Sequence, residues 1–173
     1  SASVTVNTWL AVGRAGGTGT LNVTGGTVTQ QGSNWFTIGS NGTGTVTVDG
    51  GTINALQAFI GETGSGNSGT LTIDSGNVNI TNNSIFANGG NTTGTLNLNG
   101  GTLSAFGFQA HNGGGTGAAQ FSFNGGTLKA STDNAAFVGA QVTSIVSTGG
   151  AIIDTNGHAV TISSALTHDT GLS

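Results

Sequence analysis

Residues 19–28 read GTLNVTGGTV, and closely similar units begin at intervals of 25 residues after them. These units are GTVTVDGGTI at 44–53, GTLTIDSGNV at 69–78, GTLNLNGGTL at 94–103 and AQFSFNGGTL at 119–128. A degenerate sixth copy, SIVSTGGAI at 144–152, carries its Gly pair displaced by one residue. Self-similarity at a fixed period of about 20 to 50 residues is typical of solenoids, in which each repeat packs on its neighbours.

Inside each unit the apolar residues recur with a period of two. Leu21 and Val23 alternate with polar residues, which is typical of a strand with one buried face. A Gly pair follows, and glycine permits the positive φ of a tight corner. A second short strand is then expected to direct one apolar residue inward in each coil, at Val28, Ile53, Val78, Leu103 and Leu128.

A third apolar element follows the second strand with less regular spacing. It reads WLAVG at 9–13, WFTIG at 35–39 and AFIG at 58–61, with weaker versions at 85–88 and 137–139. Because the GT strands keep their interval while this element drifts, the loops beside it must absorb the difference. The pattern therefore predicts three short strands per coil.

Together these features predict an all-β, single-stranded, right-handed parallel β-solenoid (β-helix) of about seven coils with about 25 residues each. One domain is expected over residues 1–173, with regular coils over 1–143 and degenerate C-terminal coils over 144–173. A β-sandwich or a disordered Gly-rich linker would not repeat the same turn chemistry in phase. Two interior ladders are expected, one of Leu21, Val46, Leu71, Leu96 and Phe121, the other of Val23, Val48, Ile73, Leu98 and Phe123.

The composition excludes several classes of partner. Of 173 residues 34 are Gly, and Arg14 and Lys129 are the only strong cations against six acids. Such a chain lacks the clustered basic residues that bind nucleic acid or an anionic membrane surface. No apolar run approaches the roughly 18 to 20 residues of a spanning helix, so no membrane insertion by this segment is expected. No residue pattern indicates a cofactor.

The repeats resemble a known group of proteins. The GTLNVTGGTV units, the WLAVG segments and especially GGAIIDTNGHAVTISSAL at 149–166 are similar to the autotransporter-associated β-strand repeat proteins of Gram-negative bacteria. The resemblance implies export, a β-helical passenger and a longer parent protein, of which this chain is expected to be a fragment. It implies no reaction, because such passengers serve as adhesins, spacers or matrix components. His158 stands where that family usually has Asn.

Asp49 and Asp74 are the strongest chemical candidates. They occupy one position in successive coils and are expected to project from the solvent face about 5 Å apart. Two carboxylates at that distance suit calcium or a retaining glycosidase pair. Thr24, Asn99 and Asn124 fill the same position in other coils, so a generic polar stack is the favoured interpretation.

The histidines do not form a recognised metal motif. His111, His158 and His168 lie in three different contexts without HxH or HExxH spacing, so exposed or loop histidines are expected. The C-terminal segment also holds Asp154 and Asp169. A Ser-His-Asp group assembled there is interpreted as a coincidence of composition.

Isolated cations and tryptophans allow two interpretations each. Arg14 and Lys129 suit carboxylate pairing or an acidic glycan, and solubility is the favoured role. Trp9 and Trp35 lie one coil apart at matching positions. Exposed, stacked indoles would form a sugar platform, whereas inward indoles would fill a corner of the coil, and the corner is favoured.

Outward strand positions form polar rows. One row holds Thr20, Thr45, Thr70 and Thr95, and another holds Asn22, Thr47, Thr72 and Asn97. Regular arrays of this kind occur in ice-binding solenoids. Because Asn, Asp and Gln120 interrupt the threonines, ordinary β-propensity is the favoured cause.

These observations favour a non-enzymatic extracellular module at the bacterial cell surface, acting as a rigid structural or adhesive stalk, passenger or fibre-forming segment. A carbohydrate-binding or carbohydrate-active β-helix is the first alternative, and an ice-binding solenoid is the second. Expected partners are a glycan or another cell-surface ligand. An open solenoid end exposes unpaired backbone groups, so the chain is expected either to continue into further chain or to stack end to end with copies of itself.

Overall fold

The computed structural model describes residues 2–112 and 115–170, and nineteen β-strands are its only regular elements there. None of these residues lies in a helix of the length and apolarity that a membrane crossing requires. The strands are β1 Ser3–Val6, β2 Leu10–Arg14, β3 Thr18–Val23, β4 Thr27–Gln30, β5 Phe36–Ser40, β6 Thr43–Ala55, β7 Ala58–Ile60, β8 Ser68–Ile80, β9 Ser84–Phe86, β10 Thr93–Leu98, β11 Thr102–Ala105, β12 Phe108–Ala110, β13 Ala118–Phe123, β14 Thr127–Ala130, β15 Asn134–Val138, β16 Thr143–Val146, β17 Ile152–Asp154, β18 Val160–Ile162 and β19 Leu166–His168.

The strands form three parallel stacks. The first contains β3, β6, β8, β10, β13, β16 and β19, and the second contains β1, β4, β6, β8, β11, β14 and β17. These two stacks share one twelve-stranded sheet because β6 and β8 each pass through both. The third stack is a separate seven-stranded sheet of β2, β5, β7, β9, β12, β15 and β18. A parallel β-solenoid with three strands per coil and seven coils is therefore confirmed.

Both predicted interior ladders are confirmed in register. Leu21 pairs with Val46 and Val46 with Leu71, and the ladder continues through Leu96 to Phe121. Every member of the two ladders is buried except Leu21, which is half-buried in the first coil. The rings of Phe121 and Phe123 stack with centroids 4.1 Å apart. Each coil therefore buries its apolar face against its neighbours.

The corner at the Gly pair is confirmed, but its details vary between coils. In β6 and β8 the chain passes through the corner without leaving the sheet. The positive φ falls on the first residue of the corner pair at Gly50 (φ 105) in β6 and on the second at Gly76 (φ 81) in β8. As a result, the register shifts at this point and Asp49 pairs with Ser75 rather than with Asp74.

The sixth repeat is displaced further than its Gly pair suggests. Phe121 pairs with Ser144 and Phe123 with Val146, an interval of 23 residues instead of 25. Ser144 is therefore buried where the earlier coils have an apolar residue. Ser164 donates to the carbonyl of Val142 at 2.6 Å, and its Oγ lies 2.7 Å from that of Ser144. Because these two hydroxyl groups are hydrogen-bonded, Ser144 and Ser164 can remain buried.

The third element is present in every coil, including two coils where the sequence analysis did not recognise it, at β12 and β18. A glycine with positive φ lies at the end of this third element in the first three coils, namely Gly13 (φ 71), Gly39 (φ 73) and Gly61 (φ 72). Ala87 (φ 50) and His111 (φ 60) adopt this conformation in later coils. The corner geometry is therefore kept even where glycine is lost.

Candidate functional site

A row of hydrogen-bonded acid and amide side chains follows the first strand of successive coils. Asn99 donates from Nδ2 to Oδ1 of Asp74 at 2.8 Å. Asn124 Nδ2 lies 3.5 Å from Asn99 Oδ1, so both contacts run from an amide to the preceding coil. Oδ1 of Asn124 accepts from the backbone N–H of Gly149 at 3.0 Å. The predicted polar stack is confirmed for these three side chains.

The expected pairing of Asp49 with Asp74 is wrong in register. Asp49 accepts a hydrogen bond from Ser75 Oγ at 2.8 Å, whereas Asp74 accepts from Asn99 in the opposite neighbour. The bulge at the Gly corner causes this difference, because it moves Ser75 into the place opposite Asp49. Within residues 2–112 and 115–170, no three His, Cys, Asp or Glu side chains gather as metal ligands.

A second polar row, which the sequence analysis missed, lies within the second strand of successive coils. Asn79 donates to Asn54 at 2.8 Å, and Asn54 lies 3.5 Å from Thr29 Oγ1. Later in the same row, Lys129 Nζ lies 3.5 Å from Asp154 Oδ2. The 25-residue interval of these residues was the available signal.

The three histidines have separate partners. His111 Nδ1 lies 2.8 Å from the carbonyl of Ala87, and His168 Nδ1 lies 2.9 Å from that of Asp169. His158 Nδ1 lies 3.1 Å from Asp133 Oδ1, and Asp154 is paired with Lys129 instead. Asp154 and His158 therefore contact different residues and do not form part of one Ser-His-Asp arrangement.

The carboxyl group of Asp133 lies beside two groups that lower its pKa. The backbone N–H of Ala159 donates to it at 3.0 Å and, together with His158, lowers the pKa of the Asp133 carboxyl. Both contacts favour the ionised form, since each donates to or attracts the carboxylate. Asp133 is fully exposed, so this pair joins two coils at the surface.

An aromatic cluster lies on the outer face of the seven-stranded sheet. Phe36 and Ile38 point into the core, so Trp35 and Thr37 point outward by strand alternation. The ring centroid of Trp35 lies 6.0 Å from that of Trp9 and 5.1 Å from that of Phe59. Phe59 is buried, so Trp35 packs on the edge of the apolar core from outside while remaining partly exposed itself.

The favoured interpretation of the tryptophans as interior corner residues is wrong for Trp35, which is partly exposed, whereas Trp9 is half-buried and its Nε1 is buried. Trp35 is 36 % exposed, and its ring meets that of Trp9 at 61° rather than in a flat stack. The guanidinium carbon of Arg14 lies 4.1 Å from the centre of the Trp9 ring. Arg14 is exposed and has a specific cation–π partner in Trp9.

A cleft of about 310 Å³ opens beside this cluster, and we term it the Trp cleft. Its lining includes Trp9, Arg14, Trp35, Ser40, Asn41 and Glu62. Arg14 pairs in register with Ser40 of the next coil. Glu62 lies one coil further along, where its backbone N–H donates to the carbonyl of Gly39. The Trp cleft is therefore built from three successive coils.

Glu62 is the residue that the sequence analysis missed. It is 6 % exposed, and in the described residues its Oε2 has no hydrogen-bonding partner. The Nε1 of Trp9 is likewise buried without a partner. Glu62 is the only glutamate in the chain and directly follows the third element AFIG, which was the available signal.

The outward Thr rows are in register as predicted. Thr20 pairs with Thr45, Thr45 with Thr70 and Thr70 with Thr95. In the neighbouring row Asn97 Nδ2 lies 3.3 Å from Thr72 Oγ1. Part of the hydroxyl array therefore makes hydrogen bonds between coils.

No protein-family model, curated protein or solved structure matches the chain.

Proposed function

We propose that the chain is a non-enzymatic extracellular module of a bacterial surface protein, in which a rigid stack of coils displays rows of polar side chains. The observation that carries this proposal is the in-register pairing of three strand stacks through seven coils. Each inner coil is hydrogen-bonded to two neighbours, so bending the stack requires breaking several strand ladders at once. A stiff spacer or adhesive stalk needs this property.

The resemblance of residues 149–166 to autotransporter-associated repeats supports the cellular location. These residues contain two strands, β17 and β18, separated by a turn at Asn156 and Gly157 with positive φ, and they end at the first residue of β19. An antibody against the chain is expected to label intact source cells. Labelling that requires permeabilised cells would contradict the surface location.

The non-enzymatic role is tested by a screen for polysaccharide cleavage. Asp49 and Asp74 are hydrogen-bonded to different neighbours in the polar row, which supports a structural role for both carboxylates. We expect no cleavage of any glycan in the panel. Cleavage that is lost in Asp74→Asn would overturn the proposal.

End-to-end stacking of copies is part of the proposal. In the described residues, β1, β2 and β3 at one end and β17, β18 and β19 at the other each pair on one side only. Val4 and Leu166 on these edge strands are exposed apolar residues. Unpaired strand edges are templates for pairing with another chain.

Sedimentation velocity over a range of concentrations tests this stacking, and we expect linear oligomers. The backbone N–H of Asp169 donates to the carbonyl of Val146 in the neighbouring coil. Backbone N–H groups point to opposite edges of a strand in successive residues, so the N–H of His168 faces the open edge. His168→Pro should weaken association by removing that donor, whereas His168→Ala retains the donor and serves as the control. A monomer at every concentration, or equal association of both variants, would remove the stacking proposal.

A further inference from the structure

The Trp cleft contains buried polar atoms without partners. Oε2 of Glu62 is an unpaired acceptor and Nε1 of Trp9 is an unpaired donor, and both residues line the cleft. A buried donor or acceptor that is left unsatisfied retains the full cost of its removal from water. Four buried side-chain atoms of the described residues lack a partner, and these two, unlike Thr37 Oγ1 and Ser84 Oγ, belong to residues that line an open cleft, which points to a molecule that pairs with them there.

The chemistry of these atoms restricts that molecule. Glu62 needs a donor and Trp9 needs an acceptor, and a hydroxyl group supplies both. An ammonium or guanidinium group by itself has no acceptor for Trp9, and a carboxylate or phosphate group by itself has no donor for Glu62. A molecule with several hydroxyl groups is the simplest chemistry that satisfies both residues.

The charges of the cleft also favour a neutral molecule. The carboxylate of Glu62 and the guanidinium of Arg14 both line the cleft, and they are not paired with each other within 4.0 Å. A bound cation would compete with Arg14, which already occupies the face of Trp9 at 4.1 Å. A bound anion would meet the buried carboxylate of Glu62.

The aromatic surface supplies the remaining contact. Trp35 is partly exposed beside the cleft and is held by Trp9 and Phe59. A sugar ring presents a C–H face to such an indole and directs its hydroxyl groups to the polar lining. At about 310 Å³ the cleft lies at the lower end of the size range of ligand pockets, which suits one sugar ring.

We propose that the Trp cleft binds a neutral saccharide, with hydroxyl groups donating to Glu62 and accepting from Trp9, and with the sugar ring packed on Trp35. This binding site goes beyond the structural role proposed above and does not depend on it, because the cleft uses only three of the seven coils. It assigns a defined position to glycan recognition.

The two indole N–H resonances of the chain make the site observable by ¹H–¹⁵N NMR, since Trp9 and Trp35 are the only tryptophans. The probes are glucose, galactose, N-acetylglucosamine and short glucose oligomers up to about 100 mM, with choline and glucuronate as charged arms. We expect a saturable shift of the Trp9 resonance with at least one neutral sugar. No saturation with any neutral sugar, or saturation with choline or glucuronate alone, would overturn the proposal.

Glu62→Gln retains the size of the side chain and removes its charge, and we expect it to weaken sugar binding roughly tenfold or more. Asp74→Asn is the matched control, with the same chemical change away from the cleft, and should bind as the unaltered chain does. Trp35→Ala alters a side chain outside the core and should also weaken binding, so it serves if Glu62→Gln does not fold. Unchanged affinity in Glu62→Gln, or in Trp35→Ala where that variant is needed, would overturn the assignment.

Discussion

Asn99 and Asp74 lie in adjacent coils and share a 2.8 Å hydrogen bond from the Asn amide to the Asp carboxylate. An amide carries both a donor and an acceptor, so it can accept from one neighbouring coil while it donates to the other. A carboxylate only accepts, and therefore suits the end of such a row. The relationship explains how an acid and an amide occupy one repeat position in adjacent coils without repulsion between charges.

Replacing this amide by a second acid should therefore destabilise the fold. In Asn99→Asp two carboxylates face each other across the coils, and we expect a loss of up to about 1 kcal/mol in the free energy of unfolding at pH 7. The loss should shrink near pH 3, where carboxyl groups take up protons. Urea unfolding at both pH values measures it, and Asn22→Asp, opposite Thr47, is the control. An equal loss in the two variants would contradict the ladder.

The interior ladder should be sensitive to truncation. Leu71 is fully buried between Val46 and Leu96, so Leu71→Ala removes apolar contacts with both adjacent coils. We expect the free energy of unfolding to fall by about 2–5 kcal/mol in urea titrations. Thr70→Ala, on the outward face of the same strand, should change it by less than about 0.5 kcal/mol. Similar losses for the two variants would disprove the inward and outward assignment.

The corner after the third strand requires glycine in the second coil. Gly39 has φ 73, and a Cβ there would collide with the carbonyl of Ser68. We expect Gly39→Ala to cost at least about 1–3 kcal/mol and to lower the melting temperature. Gly90→Ala is the control because no atom lies within 4 Å of its added Cβ. If both variants melt at the same temperature, the corner does not need glycine.

The pKa of Asp133 provides a pH-dependent prediction. Ala159 and His158 lower this pKa in the folded chain, so the stabilisation is present above the unfolded pKa and is lost as pH falls through the folded one. Carboxyl NMR titration should find the pKa below its ordinary value. Because the Ala159 N–H is the larger cause, His158→Ala should leave the pKa still lowered, though less so. A full return to the ordinary value in that variant would contradict the order of the two causes.

The Thr rows lead to a prediction about ice. Asn97 is hydrogen-bonded to Thr72, and Gln120 interrupts the other row and donates to Ser122 at 3.0 Å. We expect no thermal hysteresis and no shaping of ice crystals, because these bonds and interruptions break the regular array of free hydroxyls. Faceted ice crystals in the presence of the purified chain would favour the ice-binding alternative.

The sequence by itself determined the coil, the number of coils and the membership of the interior ladders. The reason is that alternation of apolar residues assigns each strand side chain to a face, and the 25-residue period aligns those faces between coils. Leu21, Val46 and Leu71 could therefore be placed in contact without coordinates.

Only the tertiary structure decided where a coil departs from that period. Either glycine of a Gly pair can adopt positive φ, so the sequence does not reveal that Asp49 lies opposite Ser75. The sequence WLAVG likewise permits Trp9 to point inward or outward, because its strand is too short to set its own phase. Glu62 acquires its burial and its place in the Trp cleft from side chains in two other coils, which a local pattern cannot supply.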